Sequence, residues 1–301
     1  MGRDLAERFP VARQTFEEAD AALGFSLSAL CFEGPEEQLR LTEYTQPAIF
    51  TVSVAALRVL KEHEIVPGFA AGHSLGEYSA NVAAGSMPFA ETVSIVRNRG
   101  RYMQEAVPQG KGAMAAILGL NAELTAAACE QASSETGELV SAANINSPEQ
   151  IVISGSVSAV ERAAALAKER GAKRAVMLPV SAPFHCAYMQ PAQDKLAELL
   201  HALPFSPPQI PIAVNVDAAM IQERNALRDA LIRQVTGAVR WVESMRLLVN
   251  QEPAYFIEVG PGRVLCGLMR QIDRGQRCLN VEDSASLEKT LNALRTEAAT
   301  A

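Results

Sequence analysis

The stretch AGHSLGEYSA (Ala71–Ala80) sets Ser74 between Gly72 and Gly76 in a G-x-S-x-G frame. Flanking glycines let the chain reverse sharply, so such a serine can stand exposed between a strand and the helix that follows. It then either attacks a carbonyl or merely caps the helix. A serine hydroxyl needs a general base, most often histidine, and the chain has four histidines. His63 lies in a charged helix end, KEHE, and His201 on a helix face, ELLHAL. His73 adjoins the serine, where neighbouring side chains diverge. His185, in the proline-containing loop SAPFHCAY and bracketed by apolar residues, is the best base candidate. A charge completes the set. Of Arg97, Arg99 and Arg101 in VRNRGRYM, the first and last share a helix face and Arg99 points elsewhere. Such arginines are solvated or paired, or one turns inward and grips a carboxylate with its planar fork.

The elements that must position these residues alternate between helical and strand patterns, which predicts an α/β protein. PAIFTVSVAALRVLKEHE reads as a buried helix, PGFAAGHS as a strand ending at the serine turn, and LGEYSANVAAG and AETVSIVRNRGRYMQEAV as helices. From AMAAILGL to RAVMLPV the order is βαββαβ, a ferredoxin-like arrangement inserted at residues 112–182. The α/β pattern then resumes, so residues 1–111 and 183–301 form one larger domain. PQIPIAVNV and AYFIEVG read as strands and GRVLCGLMRQI as a helix, with Gly260 and Gly262 as turn residues; the polar C-terminus is expected to fray.

With 301 residues, 49% hydrophobic and 20% charged, the chain can bury a large core. A net charge of −7 without a basic run argues against nucleic acid or an anionic membrane as partner. No apolar stretch reaches the roughly 18 residues of a membrane span, and MGRDLAERFP lacks the apolar core of a secretion signal. Five scattered cysteines favour reduced thiols over a disulfide framework or a zinc site, and hence a cytoplasmic protein.

GHSLGEYSA, VRNRGRYMQEAVP, NINSPEQIVISG, LPVSAPFH and IEVGPGRVL, taken in order over almost the whole chain, resemble the malonyl-CoA:acyl carrier protein transacylase family. The resemblance implies an α/β-hydrolase-like large domain around the ferredoxin-like insertion. It makes Ser74 the acylated nucleophile and His185 its base, with the Leu75 N–H as an oxyanion donor. Arg99 would pair with the malonyl carboxylate, the Gln234 main-chain carbonyl would orient the histidine, and Met103 and Phe184 would line the acyl pocket. No cofactor and no metal are implied; the partners are a coenzyme A thioester and an acyl carrier protein. Carriers of that pathway are acidic, so docking calls for a local basic patch: KERGAKR (Lys168–Arg174) is the densest, with Arg263, Arg270 and Arg274 as others. The family opens with a strand whose glutamine helps form the oxyanion hole, and this chain begins after that point. Open strand edges and slow turnover are therefore expected, with Gln46 the first substitute donor. Two rivals remain. A serine esterase would want an acid between serine and histidine, whereas Asp194 and Asp217 both follow His185. An inactive relative would survive as a carrier-binding scaffold.

Overall fold

The apolar run around Phe50 forms the helix Thr42–Glu62, which buries Phe50, Val52, Val54, Ala55 and Val59. A helix apolar on most of its circumference must lie inside the molecule. It packs against the helices Pro10–Leu23 and Phe89–Glu105, with Phe50 stacked on Phe89. The structure is a computed structural model that describes residues 1–180 and 182–298. The end of the chain expected to fray falls at residues 299–301, and Ser181 of the histidine loop at the other gap; both lie outside the described residues.

In chain order the strands are β1 (Ala70–Ala71), β2 (Gly112–Leu118), β3 (Val140–Ser147), β4 (Gln150–Ser156), β5 (Arg174–Met177), β6 (Ile212–Val214), β7 (Ala219–Ile221), β8 (Phe256–Val259) and β9 (Cys278–Val281). β2 to β5 form one antiparallel sheet of order β3-β4-β2-β5, the pairing order of a ferredoxin-like unit. Helices Ala122–Thr136 and Val157–Glu169 close it over a separate core of Ile117, Ile151, Ile153, Val160 and Leu166. Elsewhere β1 runs parallel to β6, β6 antiparallel to β7, and β8 parallel to β9. Among the described residues β1 pairs on one side only, with β6, and β8 on one side only, with β9.

The strand expected over PGFAAGHS shortens to two residues, because the chain turns at Gly72 to place Ser74. β7 and β9 escape the sequence reading, being only three and four residues long. The cysteines correct it more plainly. Cys266, in helix Val264–Ile272, and Cys278, in β9, form a disulfide with Cα atoms 5.5 Å apart. Twelve residues of spacing carry no such signal, since only the return of β9 beside β8 brings the two together. Cys31, Cys129 and Cys186 are free and buried. No helix among the described residues is long and apolar enough to cross a membrane.

Candidate active site

The serine turn is built by contact, not by glycine flexibility alone. A Cβ on Gly72 would lie 1.9 Å from the main chain of Gly76, so the strand end and the helix start touch directly. Gly76 itself has open space around it. Beyond this pinch Ser74 takes φ 51°, a conformation that costs a non-glycine residue about 1–3 kcal/mol. The helix Gly76–Ala83 begins at once, its N-cap being Leu75 with no side-chain cap. Ser74 is therefore not a capping serine. Its Oγ instead lies 2.7 Å from His185 Nε2 and accepts from Arg99 Nη2 at 2.9 Å. Gly72→Ala sets backbone against backbone, so the cost reaches or exceeds the ~1–3 kcal/mol usual for overpacking. Its expected result is a lowered Tm and loss of any chemistry at Ser74. Unchanged melting and unchanged serine reactivity would show that the pinch does not matter.

His185, 4% exposed, sits at φ 58° in the loop before helix Gln190–Ala202. Its Nδ1 lies 2.9 Å from the main-chain oxygen of Gln234. A carbonyl only accepts, so Nδ1 carries the hydrogen and Nε2 turns its lone pair to Ser74. Asp217 pairs with Arg233 and Asp194 accepts from Gln190, so neither acid touches the imidazole. Burial first, then the nearby Arg99 charge, pushes His185 down to about 3.

Arg99 is 1% exposed. It occupies the buried stripe Thr92, Val96, Arg99, Met103 of its helix, while Arg97 pairs with Glu43 and Arg101 donates to Asn98. Gly100 permits this placement: a Cβ there would lie 2.5 Å from the Thr42 carbonyl, so the two helices meet at close range. One turn on, Gln46 Oε1 accepts from Arg99 Nη1 at 2.7 Å, and Gln234 Oε1 accepts from Nη2 at 3.0 Å. Nε is buried with no partner among the described residues.

Ser74, His185, Arg99 and Gln46 line a cavity of about 210 Å³, with Met103, Met114, Asn144 and Phe184 among its other walls. His73 also lines it, but its Nε2 lies 2.7 Å from Asn146 Oδ1 and its ring meets Trp241 edge-on, so it turns away from Ser74. The Ser74 N–H is taken by Asn215 Oδ1 at 2.7 Å. The N–H groups of Gly76, Glu77 and Tyr78 close onto His73, Ser74 and Leu75, whereas that of Leu75 has no protein acceptor among the described residues. His63 and His201 are exposed and remote in the fold, at the ends of helices. In the basic group KERGAKR, Lys173 pairs with Glu149 and Arg170 donates to Gln131. Arg174 stands opposite Leu118, four residues along β2 from Met114, about 13 Å by strand rise.

Sequence reasoning placed Ser74, His185, Arg99, Gln234, Met103 and Phe184, and the structure brings all six together. It missed Asn144, Asn215 and Glu77; Gln46, the first substitute oxyanion donor, lines the same cavity with its side-chain oxygen accepting from Arg99. The assembled chemistry is a serine hydroxyl with a base on one side and a buried cation on the other, beside an open main-chain N–H.

The acyl transferase domain family matches residues 1–289. The malonyl CoA-acyl carrier protein transacylase of Bacillus subtilis is 46% identical over 297 residues, 99% of this chain and 93% of that one. A crystal structure of an acyl carrier protein S-malonyltransferase from Vibrio cholerae superposes with a TM-score of 0.94 at 48% identity, covering 96% of this chain and 94% of the other. A malonyl-transacylase solved in complex with its type II PKS acyl-carrier protein superposes equally well, TM-score 0.94, at 47% identity over 97% and 94% of the two chains.

Proposed function

The chain belongs to the acyl transferase domain family, and on that premise we propose that it carries a malonyl group from malonyl-CoA to the thiol of an acyl carrier protein through a malonyl-serine at Ser74. The observation that carries this reading is the single hydroxyl held between His185 Nε2 and the Arg99 guanidinium at the cavity. His185 takes the Ser74 proton as Oγ attacks the thioester carbonyl. The oxyanion gathers at the Leu75 N–H and at the positive end of helix Gly76–Ala83. The sulfur of coenzyme A leaves with the proton from His185. The carrier thiol then gives its proton to His185 and attacks the acyl-serine, returning the hydroxyl. The cycle uses only side chains and main chain of the protein.

The malonyl carboxylate supplies an anionic partner for the Arg99 guanidinium, which at the cavity is held by the neutral oxygens of Gln46, Ser74 and Gln234. It also helps the base. Arg99 disfavours a charged imidazole, and neutralising Arg99 raises the proton affinity of His185 as substrate arrives. Met103 and Phe184 enclose the acyl group. Docking of an acidic carrier falls to the local basic groups, Lys173 and Arg174 among them. The division into residues 1–111 with 183–301 and an insertion at 112–182 belongs to the same reading, supported by the separate core of the four-stranded sheet.

Intact mass tests the proposal: malonyl-CoA should add one malonyl group to the protein, and holo carrier protein should remove it. No adduct, or an adduct lost to water as free acid at a rate the carrier does not change, would refute transfer. The base also fixes a pH dependence. A histidine lowered to about 3 is neutral throughout pH 5–8. The acid limb of kcat/KM for malonyl-CoA should therefore lie well below the ordinary histidine range near 6.5. A limb between pH 6 and 7 would show that the free enzyme does not hold His185 in this environment.

A further inference from the structure

Glu77 follows Ser74 by one helical turn and is wholly buried, yet the chemistry above makes no use of it. Its Oε2 accepts from the Asn215 main-chain N–H at 2.8 Å and from Gln234 Nε2 at 2.9 Å. Both partners go on to the reacting groups. Asn215 Oδ1 holds the Ser74 N–H at 2.7 Å, and Asn215 Nδ2 donates to the Gly72 carbonyl at 2.8 Å. Gln234 Nε2 also donates to the Ser74 carbonyl at 3.0 Å, its Oε1 takes Arg99, and its main-chain oxygen takes His185 Nδ1. One carboxylate oxygen thus ties together the two residues that fix both ends of the serine–histidine pair.

We propose that Glu77 is the positioning residue of the site: through Asn215 and Gln234 it sets the registry of Ser74 against His185, the task an aspartate bonded to the imidazole performs in a triad. This rests on the reading of Ser74 as the acylated residue. The geometry also says how Glu77 acts. Its second oxygen, Oε1, is buried with no partner among the described residues. An amide in its place can keep its oxygen on Asn215 and Gln234 and put its NH2 where Oε1 now lies. The role therefore belongs to one accepting oxygen and not to the charge. The charge is in any case poorly held: burial raises the carboxyl to about 7, opposed by the hydrogen bonds from Asn215 and Gln234 and by Arg99. The other groups that feel Glu77, or are felt by it, are Tyr78 beside it, Asp217, and Arg233. Protonation on Oε1 would leave both hydrogen bonds of Oε2 intact.

The test compares wild type, Glu77→Gln, Glu77→Ala, Gln234→Ala and the double variant Glu77→Ala/Gln234→Ala by rapid-quench intact mass with malonyl-CoA from pH 5.5 to 9, with melting temperatures for each. A misplacement near 1 Å costs about 10²-fold, so Glu77→Ala should acylate about 100-fold more slowly, in kcat and not KM. Glu77→Gln should recover to within about threefold of wild type by that same argument, with no break near pH 7 in either profile. The double variant should lose less than the product of the two single losses, since both remove the Gln234 branch, yet remain slower than Gln234→Ala, since the Asn215 branch depends on Glu77 alone. Wild-type acylation with Glu77→Gln as slow as Glu77→Ala would overturn the proposal in favour of charge. Equal rates for Glu77→Ala and wild type would overturn it outright. If Glu77→Ala does not fold, Glu77→Gln and its pH profile still decide between an accepting oxygen and a charge. Failure of the wild type to acylate would fall on the reading of Ser74 instead.

Discussion

Ser74→Ala forms no acyl adduct with malonyl-CoA, and His185→Ala forms it at least about 10⁴-fold more slowly than wild type. The two losses have one cause. Oγ is the atom that takes the acyl group, and at 2.7 Å from His185 Nε2 it has one place to send its proton. A neutral hydroxyl attacks a thioester poorly, and 10⁴-fold corresponds to about 5.5 kcal/mol of barrier. Because neither group works without the other, the double variant should be scarcely slower than Ser74→Ala alone. Ser74→Ala keeps its shape: Ser74 anchors the turn through its main chain, on Asn215 and Gln234, and alanine preserves those bonds. Equal melting temperatures would confirm that chemistry and not folding was lost. A malonyl adduct on Ser74→Ala would identify another nucleophile. Cys186 is the nearest alternative in sequence, but its thiol donates to the Pro183 carbonyl, is buried, and is pushed up by that burial, so it lacks thiolate character.

Of the residues that sequence reasoning found, Gln234, Met103 and Phe184 came from the family resemblance alone, whereas Ser74, His185 and Arg99 stand out by type and setting. A serine between two glycines, a histidine in an apolar loop and an arginine among helix arginines each invite a question before any fold is known. The inward turn of Arg99 could be read further than it was, since Thr92, Val96, Arg99 and Met103 follow one helical stripe. Glu77, Asn215 and Asn144 gave no such sign. A glutamate in the first turn of a helix ordinarily complements the dipole in solvent, and its partners here stand 138 and 157 residues away. The ferredoxin-like sheet was legible because its strands and helices are long and locally periodic. Around the serine, β1 and β6 were legible within PGFAAGHS and PQIPIAVNV but not their shortness, two and three residues, and the three-residue β7 was too short for period-two patterning. The Cys266–Cys278 bond failed for the related reason that spacing along the chain says nothing of a return strand.

Arg99→Ala should lower malonyl transfer by tens- to thousands-fold while acetyl transfer stays within about tenfold of wild type, so that the preference between the two substrates collapses or inverts. Removing one partner of a desolvated charge pair costs about 2–5 kcal/mol, which sets the first range. The second range follows from two effects that oppose each other at the serine. Alanine removes a donor from Ser74 Oγ and leaves Gln46 Oε1 and Gln234 Oε1 without the guanidinium, which loosens the site. It also removes a positive charge that depresses His185, which makes the imidazole the stronger base. An acetyl group has no carboxylate to lose, so only this partial cancellation remains. The same change carries its own signature, because the acid limb of kcat/KM should move upward in Arg99→Ala as the histidine recovers proton affinity. Arg99→Lys keeps the charge without the fork, so it should restore the low acid limb yet recover only part of the malonyl preference. Equal losses for malonyl and acetyl transfer would show that Arg99 serves the serine and not the substrate carboxylate. An acid limb that does not move would show that its charge does not reach the base.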